Sequence, residues 1–213
     1  MNKTKGSLVI VSGFSGAGKG TVVKAITQKY DNYALSISAT TRAPRPGELE
    51  GREYFFKTRE EFEQMITGGQ LIEYAQYVGN YYGTPRKYVE QQLEAGKDVI
   101  LEIEIQGAMK VKKLIPEALL IFMTPPSANE LKNRLEGRGT EAKEVIQSRL
   151  ERAVEESKGI DGYDYVLIND TIEECVEELH RIIQVSHGRY NQKQELISNI
   201  KAELAQIVEK EGR

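Results

Sequence analysis

The chain has 213 residues, and its content of 39 % hydrophobic and 29 % charged residues is typical of a soluble globular protein. Its net charge of −3 argues against a protein that coats nucleic acid, and its single cysteine excludes an internal disulfide. No apolar run is long enough for a secretory signal or a membrane span, so no membrane partner and a cytoplasmic location are expected.

Short apolar runs alternate with helical patterns over most of the sequence. The runs predict buried strands at residues 7–13, 98–105, 118–123 and 165–168. The amphipathic patterns predict helices at residues 20–30, 87–95, 127–135, 141–157 and 172–185. This alternation indicates an α/β fold with a parallel sheet that helices cover on both faces. Cys175 falls in the last helix, where we interpret it as a buried apolar residue rather than a catalytic thiol.

Three segments depart from this alternation. Residues 36–85 are polar, rich in tyrosine and interrupted by proline and glycine, which predicts an inserted subdomain with short strands and a helix at 58–67. Residues 131–154 contain an arginine between two glycines and are predicted to form a helical lid. Residues 191–213 predict an amphipathic helix whose apolar stripe should pack on the body or on a second subunit.

The stripe of this helix comprises Leu196, Ile197, Ile200, Leu204 and Ile207. We expect a single domain in which the core is formed by residues 1–35, 86–130 and 155–190.

A phosphate-binding loop is the strongest single motif. It lies between a predicted strand and a predicted helix, and it comprises Gly13, Phe14, Ser15, Gly16, Ala17, Gly18, Lys19, Gly20 and Thr21. Glycines let successive N–H groups point at phosphate oxygens, the helix N-terminus adds partial positive charge, and the lysine adds a full charge. The motif therefore predicts that the chain binds a nucleoside triphosphate.

The loop departs from the common pattern at one position that concerns metal binding. Gly20 stands where a serine or threonine usually follows the lysine, and Thr21 comes next. A hydroxyl contact to Mg²⁺ would therefore come from Thr21 or be replaced by water.

A second anion site is indicated in the inserted segment. Arg42 and Arg45 lie three residues apart in a stretch braced by proline, and tyrosines follow downstream. Arginine binds phosphate in a bidentate manner and tyrosine hydroxyls add hydrogen bonds. Composition alone leaves a solvated surface loop open as the alternative.

Several stretches together resemble the guanylate kinases, in the order in which that family carries them. They are GFSGAGKGT, SATTRAPRPGELEGREYFF, LIEYAQYVGNYYGTP, ILEIEIQG, PPSANELKNRLEGRGTEAKEVIQSRL and YVLIND, and they span roughly residues 5–185. The resemblance implies transfer of the γ-phosphoryl group of ATP to GMP or dGMP with Mg²⁺. It also implies the three-layer core of the P-loop NTPases, an inserted mixed α/β GMP-binding subdomain at 36–85, a lid at 131–154, and a monomer or homodimer.

The resemblance implies roles for acceptor-site residues. The expected ligands of the GMP phosphate are Arg42, Arg45, Tyr54 and Tyr82, and the expected guanine contacts are Ser38, Glu73, Thr84 and Glu104. Glu104 stands where many members have aspartate, so its reach differs by one methylene. Guanine presents two adjacent donors that a carboxylate accepts, whereas adenine would leave Glu73 unpaired.

The resemblance also implies roles around ATP. The residues expected near the transferring phosphoryl group are Lys19, Arg134, Arg138 and Arg149, with Arg42 from the acceptor side. Asn169 is expected near the adenine, and Glu102, at the end of a buried strand, is expected to hold a Mg²⁺-bound water. These cations should converge on one cleft despite the acidic net charge.

Three alternatives share parts of this pattern. Adenylate kinases have a similar loop but are not expected to carry the TTRAPR and NYYGT stretches. A kinase acting on a sugar phosphate would not need Glu73. A scaffold module of the same fold that binds peptides would be expected to lack the lysine and lid arginines that this chain retains.

Overall fold

The computed structural model describes residues 5–77, 79–137, 143–188 and 194–211. A five-stranded parallel sheet forms the centre, in the order β2 (Tyr33–Leu35), β7 (Asp98–Glu102), β1 (Leu8–Gly13), β8 (Leu119–Thr124) and β9 (Tyr165–Ile168). Every residue of β1 is buried, because this central strand has neighbours on both sides and helices on both faces.

Helices cover the two faces of this sheet, which confirms the predicted three-layer α/β core. On one face, α1 (Lys19–Lys29) and α7 (Ile172–Ser186) pack around Val9, Val11 and Ile121. On the other face, α3 (Arg86–Glu94) and α4 (Ile105–Leu114) pack around Ile10 and Leu101. Cys175 of α7 is buried as predicted, and this burial raises the pKa of its thiol to about 12.

One sequence prediction in the core is wrong at its boundary. The predicted strand at 98–105 ends at Glu102, and α4, which the sequence did not predict, begins at Ile105. Alternating Ile103 and Ile105 imitate a strand, while Gly107 lowers the helix propensity of the first turn. Ala108 and Val111, three residues apart, nevertheless bury one face of α4 in the core.

The inserted segment forms a second, smaller sheet with the strand order β4 (Phe55–Phe56), β3 (Ala39–Thr40), β6 (Asn80–Pro85) and β5 (Leu71–Tyr77). Helix α2 (Arg59–Thr67) packs against this sheet. In the described part of the chain, its buried cluster comprises Ala39, Phe62 and Leu71. The predicted helix at 58–67 is confirmed, with Thr58 capping its N-terminus in a capping box.

Two helices follow β8 and pack beside the phosphate-binding loop. They are α5 (Ala128–Glu136) and α6 (Lys143–Ser157), joined through residues that include Arg138, which lies outside the described part of the chain. Phe14 packs against Leu131, Leu135 and Ala153 of these helices. The loop is therefore held by the predicted lid helices as well as by the core.

The C-terminal helix α8 (Gln194–Glu211) is present as predicted. Its stripe is not buried against the body: the exposed fractions of Leu196, Ile200, Leu204 and Ile207 lie between 41 % and 56 %. Of the two expected partners of the stripe, the body of this chain does not cover these four residues, and a second subunit stays a prediction. No described helix is both long and apolar enough to cross a membrane.

Candidate active site

The phosphate-binding loop connects the end of β1 to the start of α1. Lys19, the first residue of α1, donates from Nζ to the carbonyl oxygens of Gly13 at 2.7 Å and Phe14 at 3.1 Å. The lysine therefore lies across the loop that would hold the phosphates. Burial lowers the pKa of Lys19, and the nearby carboxylates of Glu102 and Glu104 oppose this shift.

Asn169 supports the loop from beneath. Its side-chain Nδ2 donates to the carbonyl oxygen of Ala17 at 2.7 Å, and the residue is only 2 % exposed. Gly18 has a φ of 88°, and a Cβ there would lie 2.5 Å from Asn169 Nδ2. The expected place of Asn169 near the adenine stays a prediction; the described contact is with the loop itself.

The position after the lysine lies beside a carboxylate. A Cβ at Gly20 would lie 3.4 Å from Oε2 of Glu102, and Thr21 is exposed at the start of α1. Burial raises the pKa of Glu102, which Lys19 opposes. Among the described residues no group of three or more His, Cys, Asp or Glu side chains could hold a metal ion. The single carboxylate of Glu102 beside the loop fits a Mg²⁺ ion whose ligands would be chiefly oxygens of the triphosphate and of water.

The guanidinium of Arg42 is held in place by a carboxylate and a carbonyl. Arg42 Nη2 donates to both carboxylate oxygens of Glu48 at 2.9 Å, and Nη1 donates to the carbonyl oxygen of Ala43 at 2.7 Å. Its guanidinium carbon lies 5.2 Å from the centroid of the Tyr54 ring. The structure thus brings together Arg42 and Tyr54, and Tyr82 joins them because its ring centroid is 6.1 Å from that of Tyr54.

Glu48 is a residue of this site that sequence reasoning missed. It also accepts from the backbone N–H of Arg45 at 2.8 Å, and this bond is the largest cause lowering the pKa of its carboxyl group. The side chain of Arg45 is exposed. The sequence does not reveal the pairing of Arg42 with Glu48, because the turn that joins them is irregular and has no helix or strand periodicity.

The predicted guanine end contains a half-buried carboxylate, that of Glu73. Oε1 of Glu73 on β5 accepts from the Thr84 hydroxyl of β6 at 2.8 Å. A Cβ at Gly107 would lie 3.3 Å from the other oxygen, Oε2, so this oxygen faces the first turn of α4. Burial raises the pKa of Glu73. Ser38, half-buried beside β3, accepts at its carbonyl from the N–H of Phe55 at 2.8 Å.

Glu104 connects the two halves of the site. It is the N-cap residue of α4, so it lies near the turn that Glu73 faces, and its charge also acts on Lys19. Its Oε2 accepts from Arg152 of α6 at 2.6 Å. The sequence pointed to Glu104 but not to Arg152, which is one of many charged residues along α6.

The described lid arginines lie on the two helices that pack beside the loop. Arg134 of α5 donates from Nε to Glu130 at 2.7 Å, and Arg149 is half-buried on α6. Leu135, one residue after Arg134, would lie 2.9 Å from a Cβ built at Gly16. Both arginines therefore lie on helices that contact the phosphate-binding loop.

Comparison with known proteins gives consistent results. The guanylate kinase family model matches residues 5–186. Guanylate kinases from Lactococcus lactis subsp. lactis and Oceanobacillus iheyensis are 52 % and 54 % identical over 187 residues, which cover 88 % of this chain and 91 % of each relative. The crystal structure of guanylate kinase from Anaplasma phagocytophilum aligns with a TM-score of 0.70 and 34 % identity, over 89 % of this chain and 90 % of that chain.

Proposed function

The chain belongs to the guanylate kinase family, and we propose that it transfers the γ-phosphoryl group of ATP to GMP and dGMP, giving ADP with GDP or dGDP. The observation that carries the proposal is the half-buried Glu73 carboxylate, bonded to Thr84 and facing the N-terminal turn of α4. The cap residue of that same turn, Glu104, acts electrostatically on the loop lysine. A guanine-selective group and a triphosphate-binding loop therefore share one site.

Guanine selectivity follows from the donor pattern of the base. Its N1–H and N2–H₂ groups are adjacent, and one carboxylate can accept from both. Thr84 occupies Oε1 of Glu73 with one hydrogen bond but leaves further acceptor capacity on both oxygens. Adenine has an acceptor at N1 instead of a donor, so the half-buried Glu73 carboxylate would keep its bond to Thr84 but lose this partner on the base, at a cost of about 1–3 kcal/mol.

The acceptor phosphate is bound by groups that the second sheet positions in advance. Arg42 supplies the bidentate guanidinium, with Arg45, Tyr54 and Tyr82 as additional ligands. Because Glu48 already orients Arg42, little side-chain entropy is lost when the phosphate binds.

The donor half supplies position and charge rather than covalent chemistry. Lys19 binds the β- and γ-phosphates, and Arg134 and Arg149 approach the transferring group from the lid helices. Asn169 keeps the loop in shape beneath the phosphates through its bond to Ala17. No general base is needed, because the attacking GMP phosphate is already an anion and the main obstacle is repulsion between polyanions.

Mg²⁺ bound with ATP would neutralise charge on the β- and γ-phosphates. Glu102 would hold a water molecule bound to the Mg²⁺. Gly20 offers no hydroxyl at the usual position, and its missing side chain leaves space beside the Glu102 carboxylate. Thr21 remains the candidate hydroxyl.

The proposal is tested by following ADP formation with GMP, dGMP, AMP and UMP in parallel at equal concentration. We expect turnover with GMP and dGMP and little with AMP or UMP. Equal turnover of AMP and GMP would contradict the assignment of Glu73. Sedimentation of the same preparation would decide whether the active species is the expected monomer or homodimer.

A further inference from the structure

A row of three charged side chains joins α6 to the acceptor half of the site. Arg152 donates from Nη2 to Oε2 of Glu104 at 2.6 Å and from Nε to Oε1 of Glu156 at 3.0 Å. One guanidinium therefore donates to both carboxylates, and Glu156 is on the same helix, four residues later. This row spans from α6 to the N-terminus of α4.

The two ends of the row differ in how firmly they are held. The side chain of Glu156 is only 11 % exposed, and its Oε2 is buried without a hydrogen-bond partner in the described part of the chain. The side chain of Glu104 is 70 % exposed and makes no capping bond to the first turn of α4. Arg152 is therefore anchored at Glu156, and Glu104 is the end that would move without it.

The contact matters for ligand binding because the Glu104 side chain is long and exposed. A long, exposed glutamate has several accessible rotamers, and fixing one of them costs conformational entropy when a ligand binds. The bond from Arg152 uses one oxygen of Glu104, and a carboxylate can accept several hydrogen bonds. The contact restrains the direction of Glu104 while leaving it able to accept from a base.

We propose that Arg152 is a positioning residue for the acceptor nucleotide: anchored on Glu156, it holds Glu104 oriented toward the guanine site. The inference rests on the proposed function, because it needs GMP as the acceptor. It assigns Arg152 no contact with either nucleotide, and it places the effect on GMP binding rather than on the transfer step.

The direct test is steady-state kinetics of Arg152→Ala beside the wild type, with each substrate varied in turn. An exposed ion pair of this kind should change the KM for GMP by about two- to fivefold, upward, while the KM for ATP and kcat stay within error. Gln147→Ala is the matched control, because it removes an exposed hydrogen bond to Glu151 on the same helix. We expect no change in that control.

Two further variants separate positioning from general support of α6. Arg152→Lys keeps the charge but not the planar fork, so it should recover part of the lost GMP affinity. In a Glu104→Ala background, Arg152→Ala should have no further effect on the KM for GMP. A merely structural role would instead change kcat, the KM for ATP and the thermal midpoint together.

The outcomes are distinguishable from failure of the proposed function. If the wild type does not phosphorylate GMP, the proposed function fails and the inference with it. If the wild type is active but Arg152→Ala leaves the KM for GMP unchanged, or lowers it, only the inference is overturned. An equal effect of Arg152→Ala with and without Glu104 would also overturn it.

Discussion

The two halves of the site are built in different ways. The donor loop is held mainly by contacts to main-chain atoms: Lys19 bonds to the carbonyls of Gly13 and Phe14, and Asn169 bonds to that of Ala17. The acceptor half is held by side chains of the small sheet and of its loops, such as the Glu73–Thr84 and Arg42–Glu48 pairs.

The hydrophobic cores beneath the two halves differ in size. The loop sits on a sheet buried between two large clusters, whereas the cluster between the second sheet and α2 has three buried residues in the described part of the chain. A loop that must cradle a triphosphate needs an exact main-chain path, which packing from many sides supplies. An acceptor site needs specific donors and acceptors, which separate side chains supply. Substitutions should therefore separate the two functions cleanly.

The largest expected effect is on turnover at the donor loop. Lys19→Ala removes the full charge over the phosphates, so kcat should fall by about a thousandfold or more while the fold survives. Lys24→Ala, an exposed lysine of the same helix, is the control. Near-normal turnover of Lys19→Ala in the coupled ADP assay would remove the lysine from the transfer step.

Arg42→Ala tests the acceptor half in isolation. Losing a charge-assisted bidentate contact should raise the KM for GMP by about 10- to 100-fold, with a much smaller change in the KM for ATP. Arg59→Ala, on α2 of the same subdomain, controls for lost surface charge. If both KM values rise equally, Arg42 does not belong to the acceptor side.

Glu73→Gln tests base selectivity within the acceptor half. A glutamine amide offers one acceptor and one donor, so it fits guanine poorly and adenine better. The ratio of kcat/KM for GMP over AMP should fall by about 5- to 100-fold. An unchanged ratio would show that another group reads the base; Glu63→Gln, exposed on α2, controls for the loss of charge.

A pH dependence of GMP affinity is expected to be smaller than the effects of these three substitutions. Burial raises the pKa of Glu73 above 4.5, and only the ionised carboxylate accepts from both guanine donors. GMP affinity should therefore fall as the pH is lowered through that raised pKa, by at most about tenfold per pH unit. The Glu73→Gln variant should lack this component, leaving only the titration of GMP itself; identical pH profiles would contradict it.

The sequence predicted the core well because its signals are local and strong. Continuous apolar runs located β1, β8 and β9 within one residue of their observed ends. Gly18, Lys19 and their neighbours were assigned to the loop by their spacing between a strand and a helix. The strand β7 was extended too far because Ile103 and Ile105 continue the apolar pattern.

The acceptor half was less accessible to such reasoning. Its strands β3 and β4 are two residues long, too short for any period to appear. Arg42 was pointed out by its spacing from Arg45 in a stretch braced by proline, but its role, like those of Glu73 and Glu104, came from the family resemblance. Glu48 and Arg152 were missed because each acts on another side chain across a turn or between elements, a contact that only the fold reveals.

Calorimetric titration of the Lys19→Ala and Arg42→Ala variants, each with GMP and with ATP, tests the separation of the two halves most directly. The account predicts that Lys19→Ala binds GMP with the wild-type Kd but ATP more weakly, and that Arg42→Ala shows the reverse. Equal weakening of both ligands in both variants would contradict it.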